Sequence, residues 1–296
     1  MAAGGTITHD LEVRGPWSLT TSRRFWEGFA PQRLPSREGP LTTVFRADRT
    51  WEPLRAQVTQ DGPIARISVG RTDGGDPRDP EAAIAQVARF LSLDVDAGSW
   101  PTIGEHDPVI GDLQRQLPGL RPCGFHSPYE AAAWAVLSQR IRITQAASLR
   151  ERLTADLGED GAFPAPQALL EADLDLPGRK AEYLRAVARA ALDGTLDGEH
   201  LRDLDPDDAF AEVQGILGLG PFAAELVVIR GANAPDALPR HERRLAQEIT
   251  ERYGEDADVA VVSSAWRPLR SWAAVLLRIG REERTGEIEG RRPGRE

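Results

Sequence analysis

The sequence predicts an α+β chain, with an N-terminal antiparallel sheet carrying at least one helix and a larger all-helical part behind it. Two observations carry this. Roughly the first seventy residues hold short β-rich stretches separated by Gly, Pro and Asp clusters. From about Pro108 onward the apolar residues recur at helical period and strand signals vanish. The expected strands are "THDLEVRG", "PWSLTTS", "LTTVFRA" and "PIARISVG". Asp79-Pro80 then opens the helical pattern "PEAAIAQVARFLSLD". Eight further stretches read as helices: "DPVIGDLQRQLPGL", "SPYEAAAWAVLSQRI", "ITQAASLRERLTADLG", "GRKAEYLRAVARAAL", "DPDDAFAEVQGI", "PFAAELVVIRGA", "RHERRLAQEITERYG" and "SSAWRPLRSWAAVLLRIG". Ser127 with Glu130 forms a capping box, and Pro128 takes the first helical position. The expected division is a sheet-containing domain over 1–105, a helical core over 106–280, and a charged, aperiodic tail over 281–296 that reads as disordered.

Composition narrows the function classes. Hydrophobic residues at 41% and charged residues at 28% suit a soluble globular chain with a real core. No run of eighteen apolar residues occurs, which excludes a transmembrane helix. The start "MAAGGTITHDLEVRG" lacks the basic and apolar regions of a secretory signal. A single cysteine, Cys123, excludes an internal disulfide framework and a four-cysteine cluster, and the five histidines show no ligand spacing. The expectation is a cytoplasmic protein without a tightly held transition metal. The net charge of −10 counts against a protein that coats nucleic acid, while leaving room for a local basic face. Lys180 is the only lysine.

The stretch "LGLGP", Leu217 to Pro221, lies between two helical patterns. Its glycines permit a tight turn and let a foreign backbone come close. The amides opening the next helix point outward at its positive end, which suits a phosphate. An ordinary helix–helix turn with a glycine cap fits the same residues. A dinucleotide-binding turn fits poorly, because it would follow a strand and carry a third glycine.

The residues "LGLGPFAAELVVIRGANAPDALP" resemble the helix-hairpin-helix and following Gly/Pro/Asp loop of DNA glycosylases, and in particular the bacterial 3-methyladenine DNA glycosylase II family. "SPYEAAAWAVLSQRIRITQAASLRERL", "GRKAEYLRAVARAALDGTLD", "WRPLRSWAAVLL" and "FLSLDVD…DPVIGDLQRQLPGLRP" resemble further segments of that family, in its order, across residues 85 to 280. The resemblance implies a helix-hairpin-helix at about 207–231. It also implies an enzyme of base excision repair that binds damaged double-stranded DNA by its backbone, flips out an alkylated or otherwise modified purine, and hydrolyses the N-glycosidic bond. By the same resemblance, Leu217, Gly218, Leu219 and Gly220 anchor the DNA backbone, with an Na+ or K+ ion as a candidate at the hairpin carbonyls and no other metal or cofactor. Arg140, with Gln139 beside it, is the wedge that fills the gap left by the flipped base.

The family places its catalytic aspartate six residues after the loop aspartate; counting from Asp236 gives Glu242, a glutamate where an aspartate is expected. An anion there would stabilise an oxocarbenium-like state. A surface ion pair at a helix start is the other reading of Glu242. Phe222, Tyr129, Trp134 and Trp272 are the aromatic candidates for the base pocket, although each also sits at helical core spacing. Arg278 stands where well-known members place a tryptophan against the base, and Trp266 reads as structural. Phe222 stands where bifunctional relatives carry a lysine nucleophile, and Lys180 lies in an unrelated segment, so a monofunctional enzyme is implied. A monomer working at the bacterial nucleoid completes the picture. The competing readings are a non-catalytic, lesion-sensing DNA binder and a helical scaffold for a protein partner.

Overall fold

The structure, a computed structural model, describes residues 5–28 and 39–286, with the side chains of 24–28 left out. Four strands, β1 (Thr6–Glu12), β2 (Leu41–Arg46), β3 (Pro53–Asp61) and β4 (Ile64–Arg71), form one antiparallel sheet in the order β1-β4-β3-β2. Register follows from a two-residue turn: Asp61 pairs with Ile64 across Gly62-Pro63, with Gly62 at φ 55°. β3 was not among the expected strands. Arg55, Gln57 and Thr59 mask an alternation whose other members, Leu54, Ala56 and Val58, are wholly buried. Conversely, "PWSLTTS" is no strand: it leads into helix α1 (Leu19–Gly28). Ser18 accepts the Thr21 amide at 3.2 Å, as a helix-capping hydroxyl does, and the buried pair Leu19 and Ser22 lies at helical spacing. Helix α2 (Pro80–Phe90) starts behind the capping Asp79, as expected, and packs on the sheet.

The remaining helices are α3 (Trp100–His106), α4 (Pro108–Gln116), α5 (Pro128–Leu137), α6 (Ile143–Leu157), α7 (Pro166–Glu171), α8 (Lys180–Leu192), α9 (Gly198–Asp203), α10 (Pro206–Gln214), α11 (Pro221–Leu226), α12 (Arg243–Tyr253), α13 (Val259–Ser264) and α14 (Arg270–Thr285). Three of them, α3, α7 and α9, are too short for periodicity to reveal. α11 continues as a π-helical turn, Val227–Gly231, where Gly231 lies so close to α5 that a Cβ would sit 2.7 Å from the Pro128 Cα. "SSAWRPLRSWAAVLLRIG", read as one helix, is the end of α13 and most of α14, interrupted around Pro268.

Two stretches differ from expectation. The sheet's apolar cluster ends at Leu93, plus Cys123, whereas Val95, Trp100 and Ile103 belong to the cluster of α4, α12, α13 and α14. Residues 95–103 of the expected sheet domain thus pack with the helical body. At the other end, 281–285 is helix: α14 runs to Thr285 and is capped by left-handed Gly286. The charges that hid its period are used, since buried Arg281 reaches Glu248 at 3.2 Å and Glu251 at 2.8 Å on α12. The rest of the expected tail lies outside the described residues.

The helical part holds two apolar clusters, one built mainly on α5 to α11 and one on α3, α4 and α12 to α14. The segment 232–242 crosses from the first to the second. Arg121, fully buried, fastens the N-terminal residues to this body by donating to the carbonyls of Pro16, Ser92, Val95 and Arg14.

Candidate active site

The α10–α11 hairpin is shaped by two glycines with different tasks. Gly218 has φ 95°, and a Cβ there would lie 2.4 Å from the Tyr183 ring, so both conformation and space demand glycine. Gly220 has nothing within 4 Å of an added Cβ, which leaves the backbone open to an incoming partner. Buried Leu219 pins the turn to the core, while Leu217 and Phe222 are half-exposed at 49% and 53%. Pro221 opens α11, whose first-turn amides have no intrahelical acceptor.

The loop after α5 touches this turn. Gln139 donates its Nε2 to the Gly218 carbonyl at 2.7 Å, so it tethers the hairpin beside the expected wedge. Arg140 is exposed with φ 56°, a backbone state uncommon for a residue with a side chain. Lys180 Nζ donates to the carbonyls of Val136 and Gln139, both at 2.8 Å, and burial lowers its pKa. The segment taken as unrelated thus sits against both loops: Lys180 holds one, and Tyr183 lies beneath Gly218 with Arg179 over its ring at 5.0 Å.

The carboxylates come next. Glu225, one turn along α11 from Phe222, is buried and accepts the amides of Arg240 (2.7 Å) and His241 (2.9 Å) and contacts the His241 Nδ1 (2.7 Å). Arg240 also reaches Asp207 on α10 at 3.0 Å. From the other side, Asp236 accepts from Arg267 (2.9 Å) and Arg270 (2.9 and 3.0 Å), binding the loop to the start of α14. The loop between hairpin and α12 is therefore clamped from both clusters. It delivers Glu242 to the N-cap of α12, where Oε1 accepts the Arg244 amide at 3.0 Å and Oε2 meets Arg278 Nε at 3.3 Å. Both side chains are mostly covered, at 26% and 15% exposure.

The other aromatic candidates pack as core. Tyr129 is fully buried, donates to the Pro164 carbonyl at 2.9 Å, and meets Trp51 and Phe163. Trp134 is buried in the same cluster. Trp272 is edge-on to Trp100 and under Arg121 in the other cluster. Helical spacing allows either reading, and all three are buried here. Trp266, read as structural, is buried and donates to Asp107 at 2.8 Å. Sequence reasoning missed Glu225 and the Lys180 tether. An acid amid the apolar "FAAELVV" was the available signal for the former. Among the described residues no group of His, Cys, Asp and Glu is arranged to hold a metal ion.

No protein-family model matches the chain. It is 25% identical over 217 residues to DNA-3-methyladenine glycosylase of Bacillus subtilis (strain 168), covering 67% of this chain and 71% of that relative. It is 28% identical over 236 residues to DNA-3-methyladenine glycosylase 2 of Escherichia coli (strain K12), covering 69% and 82%. The solved 3-methyladenine DNA-glycosylase of Archaeoglobus fulgidus superposes with a TM-score of 0.71 at 17% identity, covering 91% of this chain and 96% of the other. A sheet domain joined to a helical body with a hairpin at residues 206–231 defines the class: the fold is that of the helix-hairpin-helix DNA glycosylases. Within it, the sequence similarity is to proteins named DNA-3-methyladenine glycosylase.

Proposed function

We propose that this chain is a DNA glycosylase of base excision repair, hydrolysing the N-glycosidic bond of an alkylated or otherwise modified purine in duplex DNA. The observation that carries the reading is the Glu225 clamp, which couples the phosphate-suited hairpin to the loop presenting Glu242. In this reading, the open backbone at Gly220 and the first-turn amides of α11 take a DNA phosphate. Arg140 enters the gap left by the flipped nucleotide, and Phe222 contacts the bases or the sugar beside it. As the C1′–N bond breaks, its electron pair leaves with the base. Glu242 stabilises the oxocarbenium-like sugar, and water then adds at C1′ and sheds a proton.

The carbonyls of Ile216 and Gly218 each accept one hydrogen bond, from the Leu219 amide and from Gln139, and each keeps a second lone pair. That donor chemistry fits an Na+ or K+ ion, which would add positive charge facing the phosphate. Among the described residues no helix is long and apolar enough to cross a membrane. The reading makes the protein a monomer working in the cytoplasm, where bacterial DNA lies.

The enzyme is monofunctional in this account. Lyase chemistry through a Schiff base needs an amine at the sugar, the hairpin has Phe222 there, and Lys180 is engaged by two carbonyls. Duplex DNA treated with methylating agent is expected to gain abasic sites with the native chain, and borohydride is expected to trap no covalent protein–DNA adduct. A trapped adduct would contradict the monofunctional reading, and the lack of any abasic site, across alkylated and deaminated substrates alike, would contradict the enzyme itself.

A further inference from the structure

Glu242 is not a lone anion. One oxygen caps α12 and the other lies 3.3 Å from the Arg278 guanidinium, with both side chains mostly covered. A cation so placed cancels most of the field that the carboxylate would exert on a sugar, and partial burial weakens the screening that would otherwise make this unimportant. With Glu242 at the flipped sugar, as the glycosylase reading has it, the pair also sets the charge that the base beside it meets. A base carrying a fixed positive charge, as N7- or N3-alkylated purines do, is repelled by a guanidinium and has fewer acceptor atoms to offer it. A neutral 6-oxopurine offers O6 and N7, the pair of acceptors that a guanidinium fork matches.

We propose that Arg278 is a specificity-determining residue that selects neutral 6-oxopurine lesions over cationic alkylpurines. This rests on the glycosylase reading above and refines it. Acceptors on the entering base draw the guanidinium from Glu242, so the carboxylate is unmasked only when such a base is present. The same guanidinium then donates to O6 and N7 as the C1′–N9 electron pair passes into the base, stabilising a leaving group that lacks a charge of its own. Water supplies hydroxide to C1′, and its proton ends on the departed base. Masking thus converts an ion pair that looks inhibitory into a substrate-dependent switch.

The test is single-turnover release by the full chain from two duplexes, one with hypoxanthine and one with 7-methylguanine, each rate divided by the uncatalysed loss of that base. The native chain is expected to show the larger enhancement on hypoxanthine. Arg278→Trp is expected to lower the hypoxanthine-to-7-methylguanine ratio by about tenfold or more, the order of one bidentate base contact. Arg278→Lys, which keeps the charge but not the fork, is expected to lower it too. The native ratio needs no variant to fold. A larger native enhancement on 7-methylguanine, or a ratio unmoved by Arg278→Trp, overturns the proposal and leaves the glycosylase standing. Release only from another alkylated purine, such as 3-methyladenine, does the same. No release from any of these duplexes overturns both readings together.

Discussion

At the residue scale, the departures from the family pattern explain one another. A glutamate reaches one methylene further than an aspartate, and here that reach lets it cap α12 with one oxygen and meet Arg278 with the other. The counting rule picks out Glu242, while nothing in the sequence told that residues 242 and 278 would be partners, because tertiary pairing leaves no periodic trace. Buried Glu130 is a further case. Burial would push its carboxyl up, but hydrogen bonding and charge from His126 and Arg150, the latter at 2.7 Å, outweigh this and hold it down at about 2. A depressed carboxyl contributes stability that is complete above its unfolded value of 4.5 and is lost as pH falls toward 2. Glu130→Gln is expected to lower the midpoint of thermal unfolding at neutral pH and to flatten its fall between pH 4.5 and 2, followed by circular dichroism. An unchanged acid limb would show that other groups set it.

At the scale of elements, the hairpin was the most legible feature, since glycine is demanded by backbone geometry that sequence displays directly. The two glycines separate folding from binding. Gly218→Ala is expected to be destabilising, because it meets both positive φ and the Tyr183 ring. Gly220→Ala has room and ordinary backbone angles, so it is expected to leave the unfolding midpoint nearly unchanged while weakening duplex binding severalfold or more. Binding measured by fluorescence anisotropy at fixed salt separates the two, and equal binding by Gly220→Ala would deny that the turn is a contact. Lys180→Met is expected to loosen the loop carrying Arg140 and to reduce base unstacking, read by 2-aminopurine fluorescence, more than it reduces duplex affinity. Neither Lys180 nor Gln139 announced this tether. Strand β3 and helix α1 were misread for a related reason: short elements with polar faces are settled by packing, which the chain does not write out locally.

At the scale of the molecule, two helical clusters are joined by a loop that each of them clamps, and the sheet domain is fastened by Arg121. The order of elements and the helical character beyond Pro108 were readable because periodicity survives over long helices. The packing of residues 95–103 was not, since α3 packs with helices far away in sequence. The arrangement carries the central claim, that the hairpin and the carboxylate form one site because Glu225 couples them. The most direct measurement is abasic-site formation on duplexes carrying methylated purines or hypoxanthine, comparing the native chain with Glu242→Gln at matched duplex occupancy. The account predicts release by the native chain and a fall of about a hundredfold or more in the variant, with binding retained. Equal release by both would contradict it.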